Sequence, residues 1–136
     1  MFKPAFASLN SASLLLAAML IAGCSRQSLQ PTPFDDYSLN LTVESQPVVV
    51  GPATLLVELR GPAGGPVEAA AVSARGDMTH AGMMPSLGEG EPLGEGRYRI
   101  PIEWTMGGDW QVTVSVVLPD GQRIERTFDL SVSSGG

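Results

Sequence analysis

Soft donor side chains are concentrated in one short stretch of this chain. Residues 76–85 read Gly-Asp-Met-Thr-His-Ala-Gly-Met-Met-Pro and hold Met78, His80, Met83 and Met84. His80 is the only histidine, and three of the six methionines lie here. Met106 follows in a later turn, Met106-Gly107-Gly108-Asp109. A thioether sulfur is a soft, uncharged donor that suits Cu(I) better than zinc or calcium. In an extended backbone, Met78 and His80 point to the same side. Gly82 lets the chain turn, which brings Met83 or Met84 back toward the imidazole. The expected site is two- or three-coordinate: Met78, His80 and one of Met83, Met84 and Met106. Cu(II) would ask for more nitrogen, and tetrahedral zinc for a thiolate or a second imidazole. The plainer alternative makes these methionines apolar plugs closing the end of a small domain. His80 is then an exposed loop residue, and Met106 packs on Trp104 and Trp110. Asp77 is near enough in sequence to orient His80. With one histidine and no evident Ser/Asp partner pattern, the chain reads as a binding protein and not an enzyme.

The first residues give an address. Lys3 is the lone basic residue of a short leader, and 11–21 is a small-residue and leucine-rich apolar run. That run is shorter than the roughly 20 residues of a membrane span and suits an export signal. It ends in Ile21-Ala22-Gly23-Cys24, which resembles a bacterial lipobox. The resemblance implies that 1–23 is cleaved and that Cys24 carries lipid as the mature N-terminus. Several acyl chains make a stable anchor. Cys24 is the only cysteine, so the remainder has no thiol and forms no disulfide. Ser25 follows it, which by resemblance to the enterobacterial sorting rule favours the outer membrane over the inner. Residues 24–36 read as a tether, with Pro31 and Pro33 extending it at about 3.1 Å per residue.

All 14 acidic residues follow Cys24, against seven arginines and no lysine, so the mature net charge is 7 − 14 = −7. Such a surface repels nucleic acid and anionic lipid and favours cations and basic partners. Glu89, Glu91 and Glu95 fall in a glycine-rich segment and read as a solvated loop. A weak calcium site is the alternative, since hard cations need more converging oxygens.

Alternation of apolar and polar residues marks the elements that must hold these donors. Strands are expected over 37–44, with Tyr37, Leu39, Leu41 and Val43 inward, and over 53–60, with Leu55, Val57 and Leu59 inward. Leu56 interrupts the outer row. A third is expected over 67–75; a helix of two to three turns is the alternative for 68–75. Glycine at nearly every other position makes 86–96 irregular. Tyr98, Ile100, Ile102 and Trp104 alternate cleanly, with Pro101 predicting a sheet edge or a bulge. Trp110, Val112, Val114, Val116 and Leu118 form the longest apolar row. Pro119-Asp120-Gly121-Gln122 predicts a hairpin turn into a last strand with Ile124, Phe128, Leu130 and Val132 inward. Arg126 sits in that inward row, so it is either near the strand end or paired. The pattern is all-β: an immunoglobulin-like antiparallel β-sandwich of about seven strands over 37–134, preceded by the lipoprotein signal peptide.

Several pieces together resemble the YtkA-like domain, a small family of exported bacterial domains similar in character to FixH. They are the Met78/His80/Met83/Met84 loop, then Gly96-Arg97-Tyr98 opening a strand, Trp104-Thr105-Met106-Gly107-Gly108-Asp109-Trp110, and the valine strand. The resemblance runs from about Tyr37 to Val132. It implies an immunoglobulin-like sandwich in the cell envelope, with copper handling and respiratory-oxidase assembly as contexts. One histidine is fewer than in the methionine- and histidine-rich members. The two functional expectations are a lipid-tethered Cu(I) module and a metal-free module that docks an envelope or respiratory complex.

Overall fold

The computed structural model describes residues 36–135. The signal peptide expected over 1–23, the lipidation expected at Cys24 and all but the last residue of the expected tether lie outside them. Eight strands and no helix are found among the described residues: β1 (Ser38–Val43), β2 (Gly51–Arg60), β3 (Ala71–Met78), β4 (Ser86–Glu89), β5 (Glu91–Gly94), β6 (Arg97–Trp104), β7 (Gly108–Val117) and β8 (Arg123–Val132). They form two four-stranded sheets, ordered β1-β2-β6-β5 and β4-β3-β7-β8. Every strand pair is antiparallel.

The alternating rows meet between the sheets. Leu55, Val57, Leu59, Tyr98, Ile100, Ile102 and Trp104 come from one sheet, and Val72, Ala74, Trp110, Val112, Val114, Val116, Ile124 and Val132 from the other. Each fully buried large apolar side chain contributes about 1.5–3 kcal/mol. In β6 the alternation is strict: Tyr98, Ile100, Ile102 and Trp104 are buried while Arg97, Arg99, Pro101 and Glu103 are exposed. The turn at 119–122 forms the expected hairpin. The Gly121 amide donates to the Leu118 carbonyl at 2.9 Å, and Gly121 takes a positive φ of 87°. Arg126 lies mid-strand opposite Val114, and its guanidinium donates to the Glu125 carbonyl at 3.0 Å.

Four expectations are corrected. The segment 86–96 is not irregular: it forms β4 and β5, which raises the strand number to eight. β4 pairs with β3, and one residue later β5 pairs with β6 in the other sheet. The chain changes sheet at Gly90, whose amide donates to the Val72 carbonyl at 2.7 Å. Glycine here permits close approach: a Cβ on Gly90 would sit 2.9 Å from that carbonyl oxygen, and one on Gly88 2.7 Å from Ile100 Cγ2. The third strand is a strand as expected, but it starts at Ala71, because 67–70 crosses between the sheets. There the Ala69 amide donates to the Tyr98 hydroxyl at 2.7 Å and the Ala70 amide to the Val117 carbonyl at 2.8 Å. β3 also runs on to Met78, which the sequence places in a loop. Finally, Pro101 lies in an inner strand, between β2 and β5 in sheet order. It is tolerated because β5 reaches only as far as Arg99, leaving that side of β6 without a partner from its own sheet.

Candidate metal centre at the methionine end

The strand register gathers the candidate donors at one end of the sandwich. Met78 closes β3 opposite Trp110, Gly108 opens β7 opposite Val132, and Gly51 opens β2 opposite Trp104. The connections 44–50, 79–85 and 105–107 and the residues after Val132 therefore share that end. The 79–85 loop and the Met106 turn are thus both at that end.

The donors differ in burial. Val72, Ala74, Gly76 and Met78 occupy the inward row of β3, so Met78 caps the core and is partly buried against it. A Cβ on Gly108 would come 2.9 Å from Met78 Cε, so the thioether end lies against the first residue of β7. Met106 is exposed, and its backbone is held because the Trp110 indole N–H donates to its carbonyl at 3.1 Å. Trp110 and Trp104 pack edge to face beneath, with centroids 5.2 Å apart and planes at 61°. Both are buried, as the sequence predicts. The Trp104 indole N–H is buried without a hydrogen-bond partner. His80, Met83 and Met84 are exposed on the loop. The Thr79 amide donates to the Asp109 carbonyl at 3.3 Å, fastening the start of that loop to β7.

Asp77 does not orient His80. It projects from the outer face of β3 and accepts two hydrogen bonds from Arg75, at 2.8 and 2.9 Å. Residues two apart on a strand share a face, which makes this pair. The hydrogen bond and the charge of Asp77 raise the Arg75 pKa above its ordinary value. Glu89, Glu91 and Glu95 are dispersed along β4, β5 and the following turn, with Glu91 3.8 Å from Arg99 and Glu95 3.8 Å from Arg97. Among the described residues, no group of three or more His, Cys, Asp or Glu side chains is placed to hold a metal. The chemistry on offer at this end is thioethers and one imidazole, a soft set that fits Cu(I).

Val49 and Val50 were not among the sequence candidates, yet both are exposed at the same end. The Val50 amide donates to the Ser133 carbonyl, and the Ser133 amide to the Val48 carbonyl. The uninterrupted Val48-Val49-Val50 run between Pro47 and Gly51 was the available signal, because a half-buried strand would alternate.

The sequence profile of the YtkA-like family matches residues 33–115. The chain belongs to the YtkA-like family. The match to the YtkA-like profile ends within β7, and β8 completes the second sheet beyond it. No curated protein matches this YtkA-like chain. Similar solved structures include the Lin-41 filamin domain, at 13% identity over 74% of this chain and 94% of that one, with a TM-score of 0.52. CopC from Methylosinus trichosporium OB3b shares 16% identity over 71% of this chain and 97% of that one, with a TM-score of 0.47. The PmoD soluble domain from Methylocystis sp. ATCC 49242 shares 14% over 70% and 90%, with a TM-score of 0.44. The likeness is one of fold, and the fold is an immunoglobulin-like antiparallel sandwich.

Proposed function

We propose that this YtkA-like protein is a lipid-tethered, periplasm-facing envelope protein that binds Cu(I) at its methionine end and serves copper handling or respiratory-oxidase assembly. One observation carries the reading: Met78, His80, Met83, Met84 and Met106 all belong to a single end of the sandwich. Met78, packed against the core, is the fixed ligand; the exposed His80, Met83, Met84 and Met106 complete the set. Bound Cu(I) has no protein charge to neutralise it among these donors, which favours release to another envelope protein over storage. The chain acts by binding and not by catalysis.

Titration of the mature protein with Cu(I) against a competing chelator tests this. Met78→Ala and His80→Ala should each weaken competition for Cu(I) relative to wild type, because each removes one of the proposed soft ligands. Undiminished competition by both variants would contradict the ligand set.

The tether has its own test, motivated by the lipobox ending at Cys24. Cys24→Ser should shift the protein from the membrane fraction to the soluble fraction, or leave the signal peptide uncleaved. Mass spectrometry finding an unmodified Cys24 in mature, membrane-bound protein would contradict lipidation.

A further inference from the structure

Among the described residues seven large apolar side chains are exposed, and five of them are at the methionine end: Met84 at 82%, Met106 at 48%, Val49 at 42%, Val50 at 38% and Met83 at 37%. The β6–β7 turn that carries Met106 runs between the sheets, with β3 and β4 to one side and β2 and β8 to the other. On the β8 side it abuts the residues after Val132, which hydrogen-bond to Val48 and Val50, since a Cβ on Gly107 would lie 2.5 Å from Ser134 Oγ. The five exposed apolar side chains are thus gathered on the connections of one end, Met83 and Met84 on 79–85, Met106 on 105–107, and Val49 and Val50 on 44–50. Scattered exposed apolar residues are ordinary on a protein surface; a concentration of them at one end within a polar rim marks an interaction site.

The rim is acidic. Glu44, Glu103, Asp109 and Asp129 are exposed around this end, just beyond β1, next to the last residue of β6, and near the adjoining ends of β7 and β8. Of the described arginines, Arg60, Arg97, Arg99, Arg123 and Arg126 all register in the other half of the strands. Arg75 alone stands in the nearer half, and Asp77 holds it. From this geometry we infer that the end is a docking face for a protein partner that presents an apolar patch ringed by lysine or arginine. Charge complementarity of this kind steers encounter and fixes register. A second copy would bring acid against acid, and a bilayer with anionic headgroups would repel the rim. β1 also begins at the opposite end, where Ser38 pairs with Arg60, so the preceding chain joins the domain away from this face. The inference shares its location with the copper reading but needs no metal: Val49 and Val50 have no donor atoms to offer.

Photocrosslinking of the full-length lipoprotein in its own cells tests it. A photoreactive residue replaces Val50, Met84 or Met106 in turn, with Leu93 at the other end as control. The expected result is one shared protein adduct from the three positions and none from Leu93, with lysines or arginines flanking the captured peptide. Reversing the rim with Glu103→Lys and Asp109→Lys should cut the yield about tenfold or more, and reciprocal reversal in the partner should restore it. Val50→Asp should cut the yield at Met84 while leaving Cu(I) competition unchanged, so a failed docking face is distinguishable from a failed metal site. Absence of an adduct, an adduct to lipid, an adduct of the chain with itself, or a yield indifferent to charge reversal would each overturn the inference.

Discussion

Replacing Trp110 by alanine should cost about 3–5 kcal/mol of folding free energy, the range seen when a large aromatic is deleted from a core. The ring is 1% exposed, stacks edge to face on Trp104 and donates its indole N–H to the Met106 carbonyl. Gly76 is shaped to both rings: a Cβ there would meet Trp104 Cζ3 at 3.2 Å and Trp110 Cε3 at 3.3 Å. Three elements, β3, β6 and β7, therefore lose a common packing centre in one substitution. A domain of this size is held by about 5–15 kcal/mol, so the loss is a large share of the total. Equilibrium denaturant unfolding measures it. A loss below about 1 kcal/mol would mean that Trp110 is not a core residue.

Gly96→Ala should be nearly as damaging despite adding one methyl group. Gly96 has a φ of +73°, and its Cβ would lie 2.5 Å from the Leu59 carbonyl oxygen, 3.0 Å from the Val67 amide nitrogen and 3.2 Å from Pro66 Cα. All three neighbours are backbone and cannot rotate away. The Leu59 amide donates to the Gly96 carbonyl at 2.8 Å, so the strands cannot part without breaking that bond. The left-handed conformation costs alanine about 1–2 kcal/mol, and overpacking typically another 1–3 kcal/mol. Gly94→Ala is the matched control: its φ is +85°, but nothing lies within 4 Å of its Cβ. It should show only the conformational cost. Equal losses for the two variants in the same unfolding experiment would refute the close-contact account.

The strands with one buried face were legible because their period of two is enforced by the core. That covers Leu39 to Val43, Leu55 to Leu59, Tyr98 to Trp104 and Trp110 to Val116, and it carried the sandwich. β4 and β5 were not legible, because they are short edge strands of four residues each, and Gly88 in β4 and Gly90 between the two serve close approach to Ile100 and Val72 and leave no side-chain alternation to read. Met78 was misplaced for a related reason. It continues the inward row after Gly76, and a glycine in that row hides the alternation, although Val72, Ala74, Gly76 and Met78 are evenly spaced. The pairing of Asp77 with Arg75 follows from the same spacing once β3 is recognised to run that far. The donor types were readable from composition alone; that Met106 stands at the same end as 79–85 depends on long-range register, which one sequence does not display.

The central claim is that the methionine end binds Cu(I), and anaerobic competition of the mature protein against a Cu(I) chelator tests it most directly. Wild type should withdraw one equivalent of copper from the chelator, in preference to Zn(II) and Cu(II). Met78→Ala, His80→Ala and the Met83→Ala/Met84→Ala pair should be compared at one pH and at two salt concentrations, because the acidic surface attracts any cation and that attraction fades with salt. At least Met78→Ala should weaken binding by more than about tenfold, equal to about 1.4 kcal/mol, at both salt concentrations. Equal, salt-sensitive competition by wild type and every variant would contradict the metal site.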